Sequence, residues 1–85
     1  MPYQIIIERT ARKDIQKINQ PDQVRIIQSI GLLADEPRPD GCKKLKGREA
    51  WRIRVGNYRV IYEIQDNLLI IIVITVGHRR DVYKK

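Results

Sequence analysis

The chain has 85 residues, 42% of them hydrophobic, and a formal net charge of +7. That is enough for one small domain over residues 1–85 and too little for two. Cys42 and His78 are the only residues of their kinds, which excludes an internal disulfide and a zinc site of Cys and His, so a cytoplasmic protein with no metal and no cofactor is expected.

The opening residues lack the charged start and long apolar core of a signal peptide. The longest apolar run, 68–74, is far short of the roughly 20 residues that span a bilayer, and no membrane partner is expected. Tyr3 to Glu8 reads as a short β-branched strand. Thr10 is a suitable N-cap for a helix to about Ile18, with Ala11, Ile15 and Ile18 on one stripe. Asn19-Gln20-Pro21 breaks it, and Asp22 caps a second helix whose stripe is Val24, Ile27, Ile30, Leu33 and Ala34. Gly31 inside that helix suggests a close approach to a sheet. A loop from Pro37 to Glu49 precedes three antiparallel strands, Ala50–Val55, Tyr58–Gln65 and Leu68–Val76, joined by turns at Gly56-Asn57 and Asp66-Asn67. The last strand is apolar on both faces, which suits a central position, and Gly77 ends it. The order β-α-α-β-β-β predicts an α+β fold, a helical hairpin packed on a four-stranded, mainly antiparallel sheet.

Pairing counted outward from Gly56-Asn57 sets Val55 against Tyr58, Arg54 against Arg59, Ile53 against Val60 and Arg52 against Ile61. Trp51, Ile53, Val55, Tyr58, Val60 and Tyr62 then share one face, and Arg52, Arg54 and Arg59 the other. Like charges set opposite one another cost a few tenths to about 1 kcal/mol per pair, so the arrangement calls for an anion. Charge placement agrees. Residues 1–40 are net neutral, while residues 41–59 carry +6 through Lys43, Lys44, Lys46, Arg48, Arg52, Arg54 and Arg59 against Glu49. A focused patch of this kind fits a polyanion such as nucleic acid.

Guanidinium groups match phosphate oxygens and stay charged, so three on one face could clamp a phosphate and stabilise charge developing on it; they could equally be long solvated side chains. Tyr83, among Arg79, Arg80, Lys84 and Lys85, could stack a base or tie the C-terminus to the core. His78 could transfer a proton or be a surface histidine. A two-residue turn at Asp66-Asn67 would put His78 on the arginine face, unless Gly77 breaks the alternation. There is no Gly-rich phosphate loop, no paired-carboxylate site and no Ser/His/Asp set. Glu63 and Asp66 read as edge and turn residues, which leaves catalysis by cations alone.

The run Leu45-Lys46-Gly47, then Trp51 through Tyr62, then Val73-Ile74-Thr75-Val76-Gly77-His78-Arg79 with Val82-Tyr83, resembles the RelE/ParE superfamily of toxins from type II toxin–antitoxin systems, and within it the RelE branch. The resemblance covers essentially the whole chain. It implies a ribosome-dependent mRNA endoribonuclease that cuts messenger RNA in the A site through attack of the 2′-OH on the adjacent phosphate. By position it assigns Arg59 as a transition-state clamp, Arg79 as a phosphate-stabilising residue and Tyr83 as the residue that stacks on or orients the nucleotide. Arg52 and Arg54 fall where the prototype has two lysines, the second a proposed general base. A guanidinium is a poor base at neutral pH, so His78 is the remaining proton acceptor, or the rate comes from electrostatics and positioning. The implied partners are the ribosome and mRNA, contacted through Lys43, Lys44, Lys46, Arg48, Arg80, Lys84 and Lys85, and a cognate antitoxin whose complex could bind operator DNA. The alternative is a ParE-like toxin, a non-enzymatic inhibitor of DNA gyrase.

Overall fold

The computed structural model describes residues 2–78. Its elements are β1 (Gln4–Ile7), α1 (Arg9–Gln16), α2 (Gln20–Leu32), β2 (Lys43–Lys44), β3 (Trp51–Val55), β4 (Tyr58–Gln65) and β5 (Ile70–His78). The strands form one sheet in the order β1-β5-β4-β3-β2. β1 runs parallel to β5 and every other pair is antiparallel. The helical hairpin on a mainly antiparallel sheet is as the sequence predicts, with β5 in an interior position. The sheet gains a fifth strand, because Lys43 and Lys44 pair with Arg52 and Trp51 inside the stretch expected to be loop.

The helices cover one face of the sheet. Ala11 and Ile15 of α1, with Ile26 and Ile30 of α2 and Leu33 just beyond it, pack on Ile53, Val60, Tyr62, Ile71, Val73 and Val76. Four local expectations are corrected. Glu8, not Thr10, precedes α1 and gives no side-chain cap; Thr10 lies inside the helix, and its hydroxyl donates to the Ile74 carbonyl at 3.1 Å. Asn19 caps α2: its Oδ1 accepts from the Asp22 N–H at 3.1 Å, and Pro21 sits in the first turn, where a missing N–H costs nothing. The buried stripe of α2 is Ile26 and Ile30, while Val24 and Ile27 are half exposed. Gly31 approaches nothing: an added Cβ would meet no atom within 4 Å.

The loop after α2 is tied down at its start. The hydroxyl of the fully buried Tyr62 donates to the Pro37 carbonyl at 2.7 Å, and burial pushes its ionisation well above the ordinary tyrosine value. Arg38 spans two contacts, lying 5.0 Å over the Trp51 ring and donating to both oxygens of Asp66 at 3.3 and 2.9 Å. Tyr3 donates to the same carboxylate at 2.6 Å. Asp66, in the turn between β4 and β5, thus links the entry to β1 with the loop that carries the lysines.

Two outcomes follow. Gly31→Ala should stabilise the fold by up to about 1 kcal/mol in urea unfolding, since the site is helical and open. The Arg38 hydrogen bond first, and the Tyr3 hydrogen bond second, hold the Asp66 carboxyl below its ordinary value. A depressed folded-state value stabilises above the unfolded one, and the effect is lost as pH falls through the folded one. The stability difference between wild type and Asp66→Asn should therefore be present near neutral pH and shrink as pH falls below the ordinary carboxylate range.

Candidate nucleic-acid interface

The β3–β4 hairpin turns on Gly56, whose φ of +60° is the left-handed value that a two-residue turn requires at its first central position. That turn fixes the pairs Val55↔Tyr58, Arg54↔Arg59, Ile53↔Val60, Arg52↔Ile61 and Trp51↔Tyr62. The residues packed under the helices are those of the Ile53–Val60 face. Arg52, Arg54 and Arg59 therefore share the face turned away from them. Arg54 and Arg59 are direct cross-strand neighbours, and Arg52 stands one diagonal step from Arg59, roughly 7 Å away.

The three arginines are not equivalent. Arg54 is exposed, Arg59 half buried, and Arg52 only 5% exposed. A second, smaller apolar cluster, Ala50 and Ile61 with Leu45 against them, explains the gradient. It lies on the arginine face, where Ala50 precedes Arg52 by one pleat and Ile61 stands opposite Arg52. The Arg52 Nε is buried and has no hydrogen-bond partner among the described residues. An unsatisfied buried donor costs about 1–3 kcal/mol. The arginine face is thus graded, buried at Arg52 and open at Arg54.

The lysines separate as well. Lys43 pairs directly with Arg52 and joins the arginine face, whereas Lys44 stands opposite Trp51 and bonds Glu49 at 3.3 Å. Lys46 and Arg48 are exposed in the following loop. Beside the edge of β3, Lys43, Arg52 and Arg54 line one side of a groove of about 680 Å³, and Asp35, Glu36 and Asp40 contribute to the same lining. Among the described residues no cluster of three or more His, Cys, Asp or Glu side chains could hold a metal, and no helix is long and apolar enough to cross a membrane.

His78 is not on the arginine face. It pairs with Tyr58, and the two rings meet edge to face at 6.0 Å between centroids. One departure moves it: the four-residue β4–β5 turn, Asp66 to Leu69, keeps the expected face, but β5 carries an extra residue at Ile74 that reverses the alternation beyond it. Arg79, Arg80, Tyr83, Lys84 and Lys85 lie outside the described residues. Arg38 was not singled out from the sequence, where its place ten residues before Arg48 gave no distinguishing signal; the contact with Trp51 and Asp66 emerges only from the fold.

Comparison with known proteins places this geometry in context. Residues 5–83 match the family model described as the ParE toxin of the type II toxin–antitoxin system parDE. The chain is 32% identical to the toxin RelG of Mycobacterium tuberculosis over all of both chains. It is 30% identical to a putative RelE-like toxin protein of Escherichia coli, over 98% of this chain and 92% of that one. Among solved structures, it superposes on a chain of the RelBE2 toxin–antitoxin complex of M. tuberculosis with a TM-score of 0.81 and 28% identity, covering 93% of this chain and 100% of that one. The RelE–RelB complex of Pyrococcus horikoshii gives 0.83 and 27%, over 93% and 97%.

The burial gradient sets a test that needs no substrate. Arg52→Met replaces a buried guanidinium by an unbranched apolar chain and should raise the unfolding free energy by about 1–3 kcal/mol. Arg54→Met, at an exposed position, should change it by less than about 0.5 kcal/mol. Denaturant titration of the two variants beside wild type measures both.

Proposed function

The chain belongs to the RelE/ParE superfamily of type II toxin–antitoxin toxins, and on that premise we propose that it is a metal-independent mRNA endoribonuclease acting on the ribosome. The observation that carries this reading is the gathering of Arg52, Arg54, Arg59 and Lys43 on one sheet face. Phosphoryl transfer needs little covalent chemistry from a protein and much charge placed around the phosphate. The 2′-OH of one nucleotide attacks the adjacent phosphorus, a new O–P bond forms, and the bond to the 5′-oxygen of the next nucleotide breaks. Negative charge accumulates on the non-bridging oxygens as this happens. Arg59 and Arg54, side by side, supply fixed positive charge there, and Arg52 adds a third, largely buried charge beside them.

In this reading Arg79 stabilises the phosphate and leaving oxygen, and Tyr83 stacks on the nucleotide. Lys43, Lys44, Lys46, Arg48, Arg80, Lys84 and Lys85 contact the RNA backbone. His78 faces Tyr58 on the helix side of the sheet, so the rate is assigned to charge stabilisation and positioning rather than to a histidine base. Two of the solved relatives are toxin–antitoxin complexes, RelBE2 and RelE–RelB. By analogy the cognate antitoxin would cover this basic face with an acidic, partly apolar segment, and the complex would bind operator DNA through the antitoxin.

A second reading is favoured by one finding, the ParE name of the matching family model. It is a non-enzymatic toxin that inhibits DNA gyrase through protein contact. Primer extension on messenger RNA from a translation reaction supplied with antitoxin-free protein separates the two. Cuts in codon register are expected, together with unchanged gyrase supercoiling. Intact messenger with blocked supercoiling would replace the first reading by the second. Arg59→Ala should lower the cutting rate at least about 100-fold, as loss of a transition-state donor does, with an unchanged circular dichroism spectrum.

A further inference from the structure

β5 does not keep one phase along β4. From Gln65↔Ile70 to Tyr62↔Val73 the strands hold one register, and from Ile61↔Thr75 to Tyr58↔His78 they hold another, with Ile74 the extra residue between. Continued without the bulge, the first register would set Val76 opposite Arg59 and Gly77 opposite Tyr58. A one-residue slip turns each side chain to the other face, so Val76 would stand among the arginines and Gly77 would leave a gap in the core. The bulge reverses both. Val76 pairs with Val60 and is 2% exposed, and Gly77 pairs with Arg59. The residue of β5 beside Arg59 therefore carries no side chain.

The bulge lies where β5 loses its outer neighbour. β1 ends its pairing at Ile7↔Val73, and beyond that point α1 supplies the partners. The Thr10 Oγ1 donates to the Ile74 carbonyl at 3.1 Å, and the Val76 N–H donates to Asp14 Oδ2 at 3.2 Å. Thr10 and Asp14 are four residues apart on one helix face, so their two bonds bracket the irregular stretch. Bulges re-aim side chains where a site needs them.

We propose that Thr10 and Asp14 are positioning residues that hold the Ile74 bulge, and that the bulge keeps the side chains of β5 off the flank of Arg59 where a phosphate group binds. This rests on the reading of Arg59 as a phosphate-binding residue. It makes Gly77 a determinant of access, since any side chain at that position enters the face next to Arg59.

Two readouts test it. Cross-strand nuclear Overhauser contacts in isotope-labelled protein report the register, and equilibrium binding of a fluorescent single-stranded RNA reports the face. Gly77→Val should keep the Tyr58–His78 contact and weaken RNA binding at least about tenfold. The double variant Thr10→Val/Asp14→Ala should lose the Tyr58–His78 pairing and the affinity together. Thr10→Ser/Asp14→Asn, which keeps a hydroxyl donor and a carbonyl acceptor, should retain both. Full RNA affinity in Gly77→Val, an unshifted register in the Val/Ala double variant, or no RNA affinity in wild type overturns the proposal. Cleavage is not among the readouts, so a wild type that binds RNA in this way without cutting it would remove the nuclease reading and leave this one standing.

Discussion

β4 is hydrogen-bonded on both edges, and its two registers decide what stands on each face of the sheet. On the β3 side the register is pinned by a two-residue turn and runs unbroken for five pairs, so Arg54 and Arg59 must be neighbours. On the β5 side the strand starts in one phase and finishes in another. The core needs Ile71, Val73 and Val76 inward, a spacing that no regular strand provides. The bulge resolves that conflict. The helical layer, the core and the arginine face are therefore linked through one backbone irregularity, stitched by side chains from α1.

The arginine face is built at a cost to stability. Like charges oppose one another at Arg54 and Arg59, and Arg52 is buried with an unmatched donor. A sequence selected for stability alone would place apolar or mixed-charge residues at these positions. The compensation lies on the other side of the sheet, where Tyr62, Val60, Ile71 and Val73 are fully buried beneath the helices. The Arg38–Asp66–Tyr3 contacts and the Tyr62 bond to Pro37 then hold the start of the lysine loop against this sheet. Lys43 consequently joins the arginine face through regular strand pairing rather than through a loose loop.

The hairpin was legible in the sequence because Gly56-Asn57 leaves one sensible register and alternation does the rest. The fold class was legible from the order of periodic segments. The α2 stripe was legible only in part: Ile30 and Leu33 are buried as expected, but Ile26-Ile27 is a doublet, and either member continues a helical period, so only the packing of the helix selects Ile26. β2 was hidden because two lysines have low strand propensity and two residues show no alternation. The phase of β5 was missed for a different reason. Its run is apolar at nearly every position, so hydrophobicity could not mark which residues face inward. The faint signal was chemical: Thr75 and Gly77 are poor core residues flanking Val76, and only a bulge after Val73 keeps both out of the core. The tail, which the sequence marked through Tyr83 and its basic neighbours, lies outside the described residues.

The charge segregation has a kinetic consequence. The first 40 residues, including both helices, are net neutral, and nearly all of the +7 belongs to the loop and hairpin on one side. Such a molecule carries a dipole across the thickness of its sheet. In the field of a polyanion it experiences a torque as well as an attraction, and it turns the arginine face forward before contact. Orientation that a neutral protein would find by repeated collision is then selected during approach. The advantage lies in the association rate and fades as salt shortens the Debye length below the width of the protein.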